Sequence, residues 1–189
     1  MFPASFAASL GALAVPSGDA KLLVVGASGG TGTRALRGLL DAGYDGPQLR
    51  VLTRNPLRPS LAPLRALGIE IYGADLEEPE SLTDVGSSCS GCYVHSTAGD
   101  TKQLDTGEVL RAQNLASALK AGGSVEQVVY NSAAAEPTHA VERISQKHAV
   151  EDVFSTEFGL PATHLRANLF MEVSRPLPLL NAGPSQRRV

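Results

Sequence analysis

Short apolar runs and longer apolar stripes alternate along this chain. "KLLVV" (21–25) is almost continuously apolar, the pattern of a strand buried on both faces. Ala35, Leu36, Leu39 and Leu40 then recur at helical spacing. "LRVLT" (49–53) reads as a second strand, "SLAPLRAL" (60–67) as a short helix closed by Gly68, and "IEIYG" (69–73) as a third strand. "ESLTDVG" (80–86) gives one or two helical turns and "GCYVHST" (91–97) a fourth strand. Residues 105–121 place Val109, Leu110, Leu115, Ala118 and Leu119 on one side of a helix that ends at Gly122-Gly123. "EQVVYNS" (126–132) is a fifth strand. A helix over 141–158 carries the stripe Val141, Ile144, Val150, Val153, Phe154 and Phe158 up to Gly159, and "ATHLRA" (162–167) is a sixth strand. Strict alternation of strand and helix predicts an α/β fold, with a parallel sheet, right-handed crossovers and helices on both faces.

The ends have neither period. Residues 1–19 are rich in Ala and Ser, have no basic residue, and read as a flexible leader. Secretory signals need a positive start and transit peptides need Arg, so neither pattern is met, although the lack of acids before Asp19 keeps a plastid or mitochondrial address open. The stretch from 174 on holds three prolines and three arginines and reads as an irregular tail. The expected domain is therefore 20–173.

Composition narrows the function classes. The net charge of −3 carries no basic stripe of the kind that binds a phosphate backbone, so nucleic acid is not an expected direct partner. No apolar run is long enough to span a bilayer. Two cysteines make no disulfide scaffold and point to a reducing compartment, the cytoplasm.

The turn after the first strand carries the chemistry. "VVGASGGTG" (24–32) holds Gly26-x-x-Gly29-x-x-Gly32, with Gly30 as an extra. In a strand–turn–helix of this kind one glycine makes the turn, a second lets backbone approach a pyrophosphate, and a third lets the helix pack close on the strand. The helix start near Thr31 offers unpaired N–H groups to phosphates. At the end of the second strand an acid would select NAD through the ribose 2′-OH. Here Thr53-Arg54-Asn55 has none, and Arg54 suits a 2′-phosphate, which favours NADP(H) over NAD(H). Asp75, in Gly73-Ala74-Asp75-Leu76, fits either an adenine amino contact or a cap for the following turn.

These pieces resemble the NmrA-like branch of the atypical short-chain dehydrogenase/reductase superfamily. VVGASGGTG, VLTRNP, LRALGIEIYGADLEEPESL, VEQVVYNSAA and KHAVEDVFSTEFGLPATHLRANLFMEV run in family order from Lys21 to Val173. The resemblance implies a Rossmann-like doubly wound sheet of order 3-2-1-4-5-6 in three layers. It implies cofactor contacts at Gly26, Ser28, Gly29, Gly30, Thr31, Gly32, Arg54, Asp75 and Leu76. It also places Ser96, Thr97, Ala98 and Ser132 near the ribose and nicotinamide, and Lys147 on the nicotinamide ribose. The alternative for Lys147 is a surface ion pair with Glu151, four residues on. Active superfamily members carry a proton-donating Tyr four residues before that lysine. Here Arg143 stands there, a poor proton donor, so no catalytic residue is assigned beyond Lys147 as a candidate. Relatives also continue into a region that lids the substrate cleft. Its absence here would leave the nicotinamide end open to water and expose an apolar surface near Phe170 and Met171, suited to a protein partner or a homodimer.

The remaining candidates are weak. Cys89-Ser-Gly-Cys92 precedes a strand, whereas redox pairs sit at helix starts, and no second pair completes a zinc site, so the two read as small buried hydrophobes. His95, His139, His148 and His164 have no metal-ligand spacing, and Ser132 lacks the Gly-x-Ser-x-Gly elbow of a hydrolase. Tyr130, inside a strand, is expected to pack. Three function classes stay open: an NADP(H)-binding regulatory or redox-sensing protein, an NADPH-dependent reductase of a small molecule such as a quinone, and a truncated, non-functional relative.

Overall fold

The computed structural model describes residues 18–95, 107–134 and 142–167. Six strands form one all-parallel sheet: β1 Lys21–Val25, β2 Leu49–Thr53, β3 Glu70–Gly73, β4 Cys89–Val94, β5 Gln127–Ala133 and β6 Ala162–Ala167. Their order is β3-β2-β1-β4-β5-β6, as the resemblance implied. The helices are α1 Gly30–Asp41, a short α2 Ala62–Ala66, α3 Glu108–Gly122 and α4 Glu142–Asp152. The last runs on into a π-helical turn, Val153–Glu157. Residues 80–86 form only a 3₁₀ turn, Pro79–Leu82, and hydrogen-bonded turns.

Alternation along the apolar strands feeds two cores. On β1, Leu22 and Val24 face α1 and meet Leu36, Leu39, Val51, Tyr93 and Val129. Leu23 and Val25 face the opposite way and meet Leu115, Leu119, Val128, Tyr130, Val150 and Phe154. Both sides of a strand are thus buried, which is why these runs lack polar alternation. Strand β4 begins at Cys89, earlier than its apolar run suggests. Lys21 pairs with Cys89 but Leu22 pairs with Gly91, so one extra residue bulges. Residues three apart on a regular strand face opposite sides. The bulge instead brings Cys89 and Cys92 into the same core, each fully buried. Burial pushes both thiols up, Cys92 well above its ordinary range.

Two helical stripes differ from the expectation. On α3 the buried positions are Glu108, Ala112, Leu115, Ala116 and Leu119, while Leu110 is 54% exposed. A carboxylate heads the buried stripe, which was expected to begin at Val109. On α4 and its π turn, Val150, Val153 and Phe154 are buried as expected, and Glu151 is buried among them. Val141, Phe170 and Met171 lie outside the described residues, as do the leader and the tail.

Candidate functional site: the glycine turn and the strand ends

Strand order reverses between β1 and β4, so the loops after them leave in opposite directions and open a crevice at the carboxyl ends. The glycine turn forms one lip. Gly26 has φ +82°, and a Cβ on it would sit 2.7 Å from the His95 carbonyl oxygen. A Cβ on Gly32 would sit 2.2 Å from the Gly26 carbonyl oxygen, so α1 reaches β1 only through a bare backbone. Gly29 differs. A Cβ there meets nothing nearer than the Gly26 carbonyl oxygen at 3.4 Å, and the residue is exposed. The fold therefore leaves room for a side chain at Gly29 that it denies at Gly26 and Gly32.

Gly29 is the N-cap of α1, with no side-chain hydrogen bond and no acid in the first turn. The positive end of the helix therefore meets no carboxylate of its own. Ser28 and Gly30 are exposed and Thr31 is half-buried at this lip. The Thr33 hydroxyl donates to the Ala27 carbonyl at 2.8 Å and ties the turn to the helix.

Arg54 follows β2 and is exposed. Asp75 follows β3, and its Oδ1 accepts the Glu77 N–H at 3.0 Å in an Asx turn, while the N-cap of the next 3₁₀ turn is Glu78. Leu76 packs on the core, and its carbonyl accepts from Asn114 Nδ2 at 2.8 Å. That bond, with the Arg111–Glu77 ion pair, ties the loop after β3 to α3.

Two buried carboxylates organise the other side. Glu108, 2% exposed, receives Lys147 Nζ at 2.5 Å and the Tyr130 hydroxyl at 3.4 Å. Lys147 is thus paired across two helices with Glu108. Glu151, 5% exposed, instead receives the Ser132 hydroxyl at 2.5 Å and both Nε and Nη2 of Arg166, at 3.0 and 2.6 Å. Burial alone would raise the Glu151 pKa, but the hydrogen bonds from Arg166 and Ser132 hold it below the ordinary value. Ser132 is buried and held by that carboxylate.

His95 closes β4 beside the glycine turn. The Asn131 Nδ2–H donates to its Nδ1 at 3.0 Å, which fixes the neutral tautomer. Burial, then the positive charge of Lys147, push its pKa down to about 4, against the pull of Glu108. Tyr130 packs as expected, its ring 5.7 Å from that of Phe154. Ser96, Thr97, Ala98 and the side chain of Arg143 lie outside the described residues.

The structure brings the glycine turn, Arg54 and Asp75 to the strand ends, with His95 and Asn131 across from them. A cavity of about 420 Å³ lies elsewhere, lined by Leu22, Gly91, Gln127 and Pro161 toward the amino ends of the strands. Sequence reasoning missed Glu108 and named Glu151 only as a surface partner of Lys147. The signal for their burial was an acid inside an apolar helical stripe.

A parallel 3-2-1-4-5-6 sheet with a glycine turn at its switch point defines a Rossmann-like protein. The profile of the NmrA-like family matches residues 18–185, and the chain belongs to that family. Among solved structures it is similar to the triphenylmethane reductase of Citrobacter sp. complexed with NADP(H), at 23% identity and a TM-score of 0.71, covering 82% of this chain and 51% of that one. It is similar also to the NADPH-dependent quinone oxidoreductase of Escherichia coli complexed with NADPH, at 22% identity and a TM-score of 0.70, covering 80% and 50%. A mutant NmrA matches at 22% identity and a TM-score of 0.61, covering 78% and 45%. The chain therefore spans about half the length of these neighbours. No curated protein sequence matches it significantly. No helix among the described residues is long and apolar enough to cross a membrane.

Proposed function

We propose that this chain is an NADP(H)-binding member of its family whose role is regulatory or redox-sensing rather than strongly catalytic. The observation that carries the binding is the asymmetry of the glycine turn. Gly26 and Gly32 are closed off by the protein's own backbone, while Gly29 is exposed and has only ordinary contact at a helix start with no acid. A pyrophosphate fits beside it, and the site's residues suit the cofactor. Arg54, exposed after β2 with no acid beside it in Thr53-Arg54-Asn55, suits a 2′-phosphate and selects NADP(H) over NAD(H). Gly26, Ser28, Gly29, Gly30, Thr31 and Gly32 would hold the pyrophosphate, and Asp75 and Leu76 would frame the adenine. Bound NADPH would supply a hydride.

The weak catalytic character rests on Lys147 and Arg143. Lys147 is held by Glu108, and one helical turn earlier stands an arginine, whose protons are held too tightly to donate. Neutral His95 keeps positive charge away from the strand ends. A reductase reading is favoured by the neighbours, named as a triphenylmethane reductase complexed with NADP(H) and an NADPH-dependent quinone oxidoreductase. On this proposal the domain runs over 20–173, between a leader and a tail, and works in the cytoplasm.

Isothermal titration of NADP⁺, NADPH and NAD⁺ into the purified chain tests the binding, and NADPH oxidation with a panel of quinones tests the role. Tight binding of both NADP forms without turnover supports the sensor. Steady turnover supports the reductase, and no binding of any of the three defeats both.

A further inference from the structure

We propose that Ser155, His164 and Glu151 form a second, nucleophilic site that accepts an acyl group from aryl esters and similarly activated acyl donors. Ser155 Oγ lies 3.1 Å from His164 Nε2. On the other side of the ring, His164 Nδ1 lies 3.4 Å from Glu151 Oε2. A hydroxyl hydrogen-bonded to an imidazole, with a carboxylate close to the other ring nitrogen, is the arrangement from which an activated serine is built. The order of roles matches, with the nucleophile on Nε2 and the acid on Nδ1.

The local fold builds this arrangement. Glu151 and Ser155 are four residues apart and share one face of the helix. Ser155 lies in the π turn, closed by the Phe158 N–H donating to the Val153 carbonyl at 3.0 Å. Such turns recur at functional sites. The chain then reverses through Gly159, φ +59°, and returns as β6 with His164 beside the turn. The ring of Tyr130 stands edge-on to the imidazole, 6.4 Å away, and limits its rotation. Ser155 is exposed, while Glu151 is buried and anchored by Ser132 and Arg166. His164 pairs with Tyr130, inside the sheet register, so this site lies below the crevice at the strand ends.

The charges around His164 suit a base. Glu151 and Asp152 favour its protonated form, and Arg166 and His148 oppose it. Burial is the largest influence, and the imidazole is held below its ordinary pKa and neutral at pH 7. In the reaction the Ser155 Oγ–acyl bond forms as the bond between the acyl carbon and the aryl oxygen breaks. The serine proton passes to His164 Nε2 and on to the departing aryl oxide. Water then attacks the acyl-serine, gives its proton to His164, and releases the carboxylic acid while the serine is restored. The site is open to solvent, so donors with a good leaving group fit it and amides do not.

The test uses the full chain and 4-nitrophenyl acetate, reading the nitrophenolate burst and locating the acetyl group by peptide mass spectrometry. The expected result is an acetyl on Ser155 and a burst lost in Ser155→Ala, an exposed change that leaves the fold intact. Thr156→Ala, its exposed neighbour, keeps the burst. His164→Asn slows acylation on the order of 100-fold. The rate falls in acid with a midpoint below the roughly 6.5 of a free histidine, and saturating NADP⁺ leaves it unchanged. Acetylation confined to lysines, a burst that survives Ser155→Ala, or a rate indifferent to His164→Asn overturns the proposal.

Discussion

The glycine turn and the pair of buried carboxylates are built from opposite materials. Between Gly26 and Gly32 the structure depends on atoms that are missing: a hydrogen in place of a side chain lets α1 lie against β1 at Gly32, and another lets His95 pass beside Gly26. Between α3, α4, β5 and β6 it depends on charged groups taken out of water. Glu108 holds Lys147, and Glu151 holds Arg166 and Ser132. The turn is local, made within seven residues. The carboxylate knots join residues up to 39 positions apart. A local device fails by steric clash. A knot of charges fails by leaving one charge alone, which is the more expensive failure.

The largest expected effect follows from that. Lys147→Met takes the lysine from the buried Glu108 and leaves it, among the described residues, the Tyr130 hydroxyl at 3.4 Å, and should destabilise the chain by about 3–5 kcal/mol. Adding Glu108→Leu should recover most of the loss, because the pair is then replaced by apolar groups. Chemical denaturation of the single and double variants measures both. Equal stability of Lys147→Met and the parent would show that the pair does not hold α3 to α4.

Gly32→Val and Gly29→Val sharpen the other half. The first drives a side chain into the Gly26 carbonyl and should cost about 1–3 kcal/mol or more. The second meets ordinary contact and should fold, yet lose NADP⁺ binding. Thermal melting and titration calorimetry separate the two. A Gly29 variant that binds as the parent does would remove the pyrophosphate from that turn.

Arg54→Ala acts on one phosphate only. A charge-assisted contact is worth roughly 1.5–3 kcal/mol, so NADP⁺ should weaken about 10- to 150-fold and NAD⁺ hardly at all. Equal losses for the two, read by calorimetry, would show that Arg54 is not the selector.

Much of this was legible in the sequence because it is local. The βα alternation, the glycine spacing and the missing acid beside Arg54 are each written within a few residues. The register of β4 was not, because the bulge at Ser90 is visible only against β1. Neither was the fate of Lys147. Spacing on the helix offered Glu151 as its partner, but Glu151 faces Ser132 and Arg166, and Glu108 comes from another helix. Leu110 was assigned to the buried stripe for the same reason: the apolar count alone does not reveal that a carboxylate occupies the core side. Local propensity cannot report such pairs, since each member by itself reads as a solvated surface residue.

His95 lies between the two regions, and its titration gives the smallest effect. Its imidazole is neutral in the folded chain, with a pKa of about 4 against 6.5 when unfolded. Above pH 6.5 neither state binds the proton, and the stability is at its full value. As pH falls from 6.5 toward 4, the unfolded chain takes up a proton that the folded chain refuses, and stability is lost. Each unit of displacement is about 1.4 kcal/mol, so the loss across this window should approach about 1–3 kcal/mol. Below pH 4 the folded imidazole titrates too, and the contribution levels off. Carboxylates lose stability in the same acid range, so His95→Gln provides the comparison. Glutamine cannot titrate, and its amide can still meet Asn131. Denaturation of parent and variant at pH 7 and pH 5 should show a smaller acid loss for the variant. Identical losses would show that Lys147 and burial do not depress His95, and that the charge knot does not reach the glycine turn.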